Sequence, residues 1–236
     1  MERYSSQVEY LYTSVWAFEE QVHKLNEAEL CGLIIEHDQV DDGLFYSVSE
    51  VVGLYNTADP RSNGEPYCRH PLRVAARVLN SFDVDDRVTL VAALHHDTIE
   101  ERTIAYNGDR NRKEAMSIME QSNFEVAKVV DGLTNPEYPR DITQDEKNEL
   151  YLQHVIENCD KDQRVLIIKL ADFLDNTWQL DEIADKDMGE RLSKKYYPLV
   201  RYFSERLGDD DVTLLSENKK DELKLYLDHL GMLLAG

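Results

Sequence analysis

The sequence has few cysteines and few basic residues for its length, and it lacks any long hydrophobic run. Its 236 residues include three cysteines, none of them in a C-x-x-C pair. A small, odd and scattered set of cysteines is typical of a reducing compartment, so we expect a cytoplasmic location. No apolar stretch approaches the ~20 residues that cross a bilayer, and the first residues do not read as a signal peptide, so we expect no membrane anchor.

The shortage of positive charge excludes one class of partner. Lysine and arginine number 26 against 47 aspartates and glutamates, which gives a formal net charge of −21. Non-specific nucleic-acid binding depends on basic residues, so we expect no nucleic-acid partner. An anionic substrate would need a locally positive pocket inside this acidic surface. The length is sufficient for one sizeable core, and one compact unit is expected.

The most informative stretch is AALHHDTIEE, residues 92–101. It predicts a largely apolar helix that reaches His96 and Asp97 and then two carboxylates. On a helix, Glu100 lies one turn from His96 and Glu101 one turn from Asp97, so the four groups crowd one end of one face. Buried ionisable groups need compensation, and a divalent metal supplies it. A metal with acids beside it indicates hydrolase chemistry.

Two other segments offer further metal ligands. His70 stands at the mouth of an apolar helix, where Pro71 suits the first turn. Asp172 lies in a strongly apolar helix and shares one stripe with Lys169 and Asn176, at spacings of three and four residues. A lone aspartate in such a helix needs a partner, and a metal would be one.

These residues carry a family resemblance. The order H…HD…D resembles HD-domain metal-dependent phosphohydrolases. Four segments, GEPYCRHPLRVA, HDTIEE, VAKVVDGLT and IKLADFLDN, are similar to motifs of RelA/SpoT-type guanosine-polyphosphate hydrolases. The resemblance runs from about Arg61 to about Leu180. It implies an all-α HD-domain helical bundle, a single domain with N- and C-terminal helical extensions.

The resemblance also implies roles for particular residues. The expected metal ligands are His70, His96, Asp97 and Asp172. The expected catalytic pair is Glu100 and Glu101. The substrate-binding candidates are Arg61, Lys169 and Asn176. The resemblance implies Mn²⁺ as the metal, and two imidazoles with two carboxylates also suit Fe²⁺ or Zn²⁺. The expected reaction is removal of the 3′-pyrophosphate from guanosine polyphosphates by a small stand-alone hydrolase, with a nucleotide as the small-molecule partner.

The sequence departs from the family pattern where the family holds phosphates or the base. Ser62 replaces the second basic residue before the glycine, Asn56 lies in an altered upstream segment, and Phe173 replaces an arginine. The acid pair is Glu-Glu instead of Glu-Asp. Two alternatives therefore stay open. One is an HD-type nucleotidase or triphosphohydrolase acting on another nucleotide. The other is a non-catalytic nucleotide-binding or interaction protein.

The predicted organisation is an N-terminal helical cap at residues 1–55, a hydrolase core at residues 56–207 and a C-terminal helical extension at residues 208–236. Helices are expected over most of the chain, including residues 85–101 and 114–121, with a weak strand signal at residues 33–35. Three polar side chains in the predicted helices are expected to lie outside the functional site. His95 is predicted to be a satisfied core histidine, and Arg73 and Arg77 are predicted to lie on a solvated face.

Overall fold

The chain folds into helices. The computed structural model describes residues 14–36, 42–55, 58–61, 64–105, 116, 119–120, 123–178 and 186–235. Within these residues helices are the regular elements and no strand occurs, so the all-α prediction is confirmed. The chain divides into two compact units, residues 1–134 and residues 135–236. The predicted partition into cap, core and extension uses other boundaries and stays a prediction.

The first unit is built mainly from α-helices in its described residues. They are α1 (Val15–Val22), α2 (Glu27–Ile35), α3 (Asp42–Tyr55), α4 (Arg69–Ala76), α5 (Arg87–His95), α6 (Thr98–Ala105) and α7 (Phe124–Leu133). Polar side chains fix several starts: Ser14 accepts a hydrogen bond from the amide of Ala17, and Asn26 and Glu29 form a capping box. Such caps satisfy amides that have no partner within the helix.

Helix α4 is the central element of this unit. Every residue of α4 after Arg69 is buried, and α4 packs against α2 and α5. A π-helical turn, Arg77–Ser81, extends it, and the chain then turns at Asp83, whose φ of 60° is left-handed. A helix that is packed on all sides holds its side chains rigidly. The first turn of α4 carries His70 and therefore has a fixed position.

The second unit is also helical. Its described helices are α8 (Gln144–Cys159), α9 (Gln163–Thr177), α10 (Lys186–Arg206) and α11 (Glu217–Leu234). Helix α9 is buried along almost its whole length and packs against α8 and α10, while α10 also packs against α11. None of the helices in the described part of the chain combines the length and the apolar character needed to cross a membrane.

Two local predictions are wrong. The expected strand at residues 33–35 is the last turn of α2, because the capping box at Asn26 starts a helix that continues through these residues. The expected helix over residues 85–101 is broken: α5 ends at His95, and α6 begins at Thr98. Most of the predicted helix at residues 114–121 lies outside the described residues.

The break has a local cause. Nδ1 of His96 lies 2.7 Å from the carbonyl oxygen of Ala93, the acceptor that an uninterrupted helix offers to the amide of Asp97. A side chain that bonds to its own helix in this way competes with the backbone ladder and favours a helix end. His96 and Asp97 therefore occupy the turn between two helices, where their side chains are not confined to one helical face.

Candidate metal centre

Three side chains of the first unit converge on one point. Nε2 of His70, from the first turn of α4, lies 3.1 Å from Nε2 of His96. Oδ1 of Asp97 is 3.4 Å from the nitrogen of His96, and Oδ2 is 3.5 Å from the nitrogen of His70. Both histidines are buried, and the Asp97 side chain is 22% exposed. The two histidine donors are thus inside the protein, and the Asp97 carboxylate is partly exposed to solvent.

A tight turn brings His70 to this position. The amide of Gly64 donates to the carbonyl oxygen of Arg61, and the amide of Arg61 donates to the carbonyl oxygen of Glu65. Gly64 has a φ of 84°, a left-handed conformation that a side chain would strain. The amide of His70 then donates to the carbonyl oxygen of Tyr67, which places the imidazole at the start of α4.

The donor set fits a divalent metal. Because a carbonyl oxygen can only accept, the contact with Ala93 puts the proton of His96 on Nδ1 and leaves a lone pair on Nε2. The two imidazole nitrogens lie 3.1 Å apart, and Oδ1 of Asp97 lies 3.4 Å from the His96 nitrogen, spacings that match neighbouring corners of a coordination shell with bonds of ~2.1 Å. Two nitrogens and a carboxylate oxygen are typical of Mn²⁺, Fe²⁺ or Zn²⁺ and less typical of Ca²⁺. His70, His96 and Asp97 can therefore hold such an ion.

A tyrosine absent from the predicted site contacts Asp97. The hydroxyl of Tyr67 donates a hydrogen bond to Oδ2 of Asp97 at 2.8 Å. Burial and the charge of Asp97 raise the pKa of Tyr67, so the phenol keeps its proton and acts as the donor. Tyr67 is the tyrosine of the GEPY motif. Its position three residues before His70 is the one feature of the sequence that could have placed it near the metal ligands.

The two predicted catalytic carboxylates begin α6. Glu100 and Glu101 lie in its first turn, and the amide of Glu101 donates to the carbonyl oxygen of Asp97 at 2.9 Å. Both side chains are half-buried. Burial, reinforced by the negative charge of Asp97, raises the pKa of Glu101. The pair therefore follows the ligands by one turn, as the spacing predicts, and its catalytic role stays a prediction.

His95 has the structural surroundings that the sequence predicts for it. It is buried, its Nδ1 lies 3.3 Å from the hydroxyl of Thr98, and its Nε2 lies 3.9 Å from Glu50 of α3. These contacts connect the end of α5 with α6 and α3. His95 is thus a partnered core histidine, and the ligand cluster contains its neighbour His96 instead.

Two arginines are buried, against the prediction of a solvated face. Arg73 donates two hydrogen bonds to Glu65, at 2.9 and 2.7 Å, and Arg77 donates two to Glu19. Arg61 also lies near Glu65, with its Nε 3.9 Å from Oε1 of that carboxylate, and it is half-buried. Paired arginines tolerate burial because the partner carboxylate replaces their hydration. The role of Arg61 toward substrate stays a prediction.

The remaining predicted residues belong to the second unit. Asp172 is buried in α9 and accepts a hydrogen bond from Asn176 at 2.6 Å, while Nζ of Lys169 lies 3.9 Å from its other oxygen. Lys169 and Asn176 thus hold Asp172 within α9. The assignment of Asp172 as a fourth metal ligand, and of the other two to substrate, stays a prediction. Phe173 is buried against Tyr196 and Phe203.

Comparison with known proteins identifies the family. The family model of the HD domain matches residues 52–208, and the chain belongs to the HD-domain family. The resemblance predicted from the four motifs is confirmed, since the curated relatives include guanosine-polyphosphate enzymes. A guanosine-3′,5′-bis(diphosphate) 3′-pyrophosphohydrolase of Aquifex aeolicus is 33% identical over 151 residues, which are 63% of this chain and 19% of the relative.

Other relatives extend the comparison. A GTP pyrophosphokinase of Myxococcus xanthus is 31% identical over 151 residues, 63% of this chain and 18% of that protein. A guanosine-3′,5′-bis(diphosphate) 3′-pyrophosphohydrolase of Borreliella burgdorferi is 26% identical over 194 residues, 82% of this chain and 26% of that protein. The matched region is thus only about a fifth to a quarter of the length of these relatives.

A solved structure confirms the fold. It is described as a metazoan orthologue of SpoT that hydrolyses ppGpp, and it superposes with a TM-score of 0.59 at 19% sequence identity. The match covers 82% of this chain and 96% of that one. At this identity the likeness establishes the HD-domain helical fold, which the H…HD…D order predicts.

Proposed function

We propose that this protein is a metal-dependent phosphohydrolase that removes the 3′-pyrophosphate from guanosine polyphosphates. The observation that carries the proposal is the convergence of His70, His96 and Asp97 in an HD domain, with Glu100 and Glu101 one turn further along the chain. The similarity to two guanosine-polyphosphate pyrophosphohydrolases supports this choice of substrate.

The metal is the first part of the proposal. A divalent ion held by the cluster would supply Lewis acidity that activates water and polarises the scissile phosphate. Mn²⁺ is our choice, with Fe²⁺ and Zn²⁺ as the other ions that suit imidazole and carboxylate donors. Asp172 is proposed as a further metal ligand because it is the last residue of the H…HD…D order in the sequence. Loading the purified, metal-stripped protein with each ion and comparing rates identifies the active one.

The protein's own groups complete the chemistry. Glu100 and Glu101 are proposed to orient the attacking water and to take or return its proton, and the raised pKa of Glu101 makes its carboxylate a stronger base than that of an ordinary glutamate. Arg61 is proposed to bind a substrate phosphate, because a guanidinium carries five donors and pairs well with phosphate oxygens. Lys169 and Asn176 are retained as proposed substrate contacts.

A second candidate function is an HD-type hydrolase of another nucleotide. The observation that favours it is Phe173, which replaces an arginine of the family pattern and is buried among aromatic rings, where it offers no charge to a phosphate.

We also propose a cytoplasmic location, since Cys31, Cys68 and Cys159 are free thiols.

A product assay tests these proposals together. The Mn²⁺-loaded protein is incubated with guanosine tetraphosphate, other ribonucleotides and deoxynucleotides. Release of pyrophosphate from guanosine tetraphosphate is the expected result. Hydrolysis of another nucleotide alone would establish the second candidate, and no hydrolysis of any substrate by metal-loaded protein would favour a non-catalytic binding protein.

The same assay tests Arg61. Its replacement by alanine is expected to weaken substrate binding about tenfold to a hundredfold, the equivalent of one charge-assisted contact of roughly 1.5–3 kcal/mol. Arg140→Ala is the matched control, because Arg140 is an exposed loop arginine of the same charge. Equal KM values for the two variants would remove Arg61 from the substrate site.

A further inference from the structure

Tyr67 connects the two segments that supply the metal ligands of the first unit. Its hydroxyl donates to Oδ2 of Asp97, which lies thirty residues later in the chain, at 2.8 Å. Its ring meets the imidazole of His70 edge to face, with centroids 6.3 Å apart and an interplanar angle of 90°. One side chain thus contacts a ligand from the turn before α6 and a ligand from α4.

The ring of Tyr67 is itself held in place. It stacks on the ring of Tyr55, from the last turn of α3, with centroids 5.0 Å apart and planes 19° from parallel. Aromatic rings stacked in this offset range attract each other beyond their shared buried area. The hydroxyl of Tyr67 therefore comes from a side chain with little freedom to move away from Asp97.

Asp97 needs such an anchor more than the two histidines do. The side chains of His70 and His96 are almost fully buried, whereas that of Asp97 is 22% exposed and lies in a turn. A carboxylate on a short, partly exposed side chain can rotate toward water. A donor fixed to one of its oxygens holds the plane of the carboxylate, and with it the orientation of the second oxygen.

We propose that Tyr67 is a positioning residue for the metal centre: its hydroxyl holds the Asp97 carboxylate in the orientation that completes the ligand set with His70 and His96. The proposal rests on the metal-binding part of the proposed function. It deepens that part because it assigns a role in metal affinity to a side chain that does not itself provide a ligand. Groups that orient metal ligands commonly change metal affinity 10- to 100-fold when removed.

The test measures metal binding without any substrate. Mn²⁺ is titrated into metal-stripped protein by calorimetry, and Tyr67→Phe is compared with wild type. Phenylalanine keeps the ring and the stack and removes only the donor, so the metal-free variant is expected to unfold at the wild-type temperature. Its dissociation constant for Mn²⁺ is expected to rise about 10- to 100-fold.

Tyr55→Phe is the matched control. It removes a phenolic hydroxyl from the same stack without touching the hydrogen bond to Asp97, and its Mn²⁺ affinity is expected to equal that of wild type. If Tyr67→Phe binds Mn²⁺ as tightly as wild type, or if Tyr55→Phe loses as much affinity, Tyr67 has no positioning role. A wild-type protein that binds no divalent metal would instead overturn the metal-dependent function itself.

Discussion

Arg77 and Glu19 form a fully buried ion pair across 58 residues of sequence. Nε and one terminal nitrogen of Arg77 donate to the two carboxylate oxygens of Glu19, at 2.5 and 2.8 Å. Arg69 adds a second link by donating to the carbonyl oxygens of His23 and Leu25, just after α1. Helix α1, which precedes the part of the chain matched by the HD-domain family, is thus fastened to the helix that carries His70.

The first prediction concerns stability. Replacing Glu19 by glutamine leaves the guanidinium of Arg77 buried without its counter-charge, and such a loss typically costs about 3–5 kcal/mol. We expect the free energy of unfolding in urea to fall by an amount of this order. Glu20→Gln is the control, because Glu20 is the exposed neighbour on the same helix. Equal effects of the two substitutions would show that the pair contributes little.

The second prediction is the pH dependence of that stability. Burial alone would raise the pKa of Glu19, but the charge of Arg77 and its hydrogen bonds outweigh burial and hold this pKa below its ordinary value of 4.5. A lowered pKa in the folded state means that the carboxylate stabilises the fold fully above pH 4.5 and that this contribution disappears as the pH falls through the folded-state value.

Unfolding in urea at a series of pH values from neutral to acid tests whether the stabilisation by Glu19 decreases as the pH falls. The wild type is expected to lose more stability than Glu19→Gln over the acid part of this range, since the variant has no carboxylate to protonate. Parallel curves for the two proteins would contradict the lowered pKa of Glu19.

The sequence predicts the helical class and the ligand motifs because both depend on short-range patterns. The spacing of apolar residues gives most helices, and the pairing of His96 with Asp97 in an apolar stretch points to a metal. The break at His96 was not predictable from periodicity, because it follows from a side-chain contact with the carbonyl of Ala93. The apolar run at the end of α2 was also misread, as a strand. These residues are helical because the capping box at Asn26 starts a helix that continues through them.

Contacts between distant residues account for the other differences. Arg77 belongs to the core only because Glu19, 58 residues earlier, supplies the counter-charge. Tyr67 carries no metal-ligand signature of its own, and its importance comes from a hydrogen bond to a residue thirty positions away. The spacing of residues along one helix identifies neither Glu19 as the partner of Arg77 nor Asp97 as the partner of Tyr67.

The third prediction concerns the metal ligands. We expect His96→Ala to lose bound metal and nearly all activity, because the incomplete ligand set that remains holds a divalent ion poorly and cannot set its geometry. Elemental analysis of the purified protein measures the metal directly. His229→Ala is the control, since His229 is a half-buried histidine of α11. Unchanged metal content in His96→Ala would contradict the assigned centre, whatever happens to activity.

The fourth prediction separates the acid pair from the ligands. Glu100→Gln and Glu101→Gln, made one at a time, remove a proton acceptor and keep the size and polarity of the side chain. At least one variant is expected to retain the metal and the wild-type unfolding temperature while its kcat falls ~10²-fold or more, the usual scale of acid–base assistance. The control is Glu149→Gln, an exposed glutamate of α8. If both variants turn over like this control with metal bound, Glu100 and Glu101 belong to the solvated start of α6, and the proton must be taken by another group.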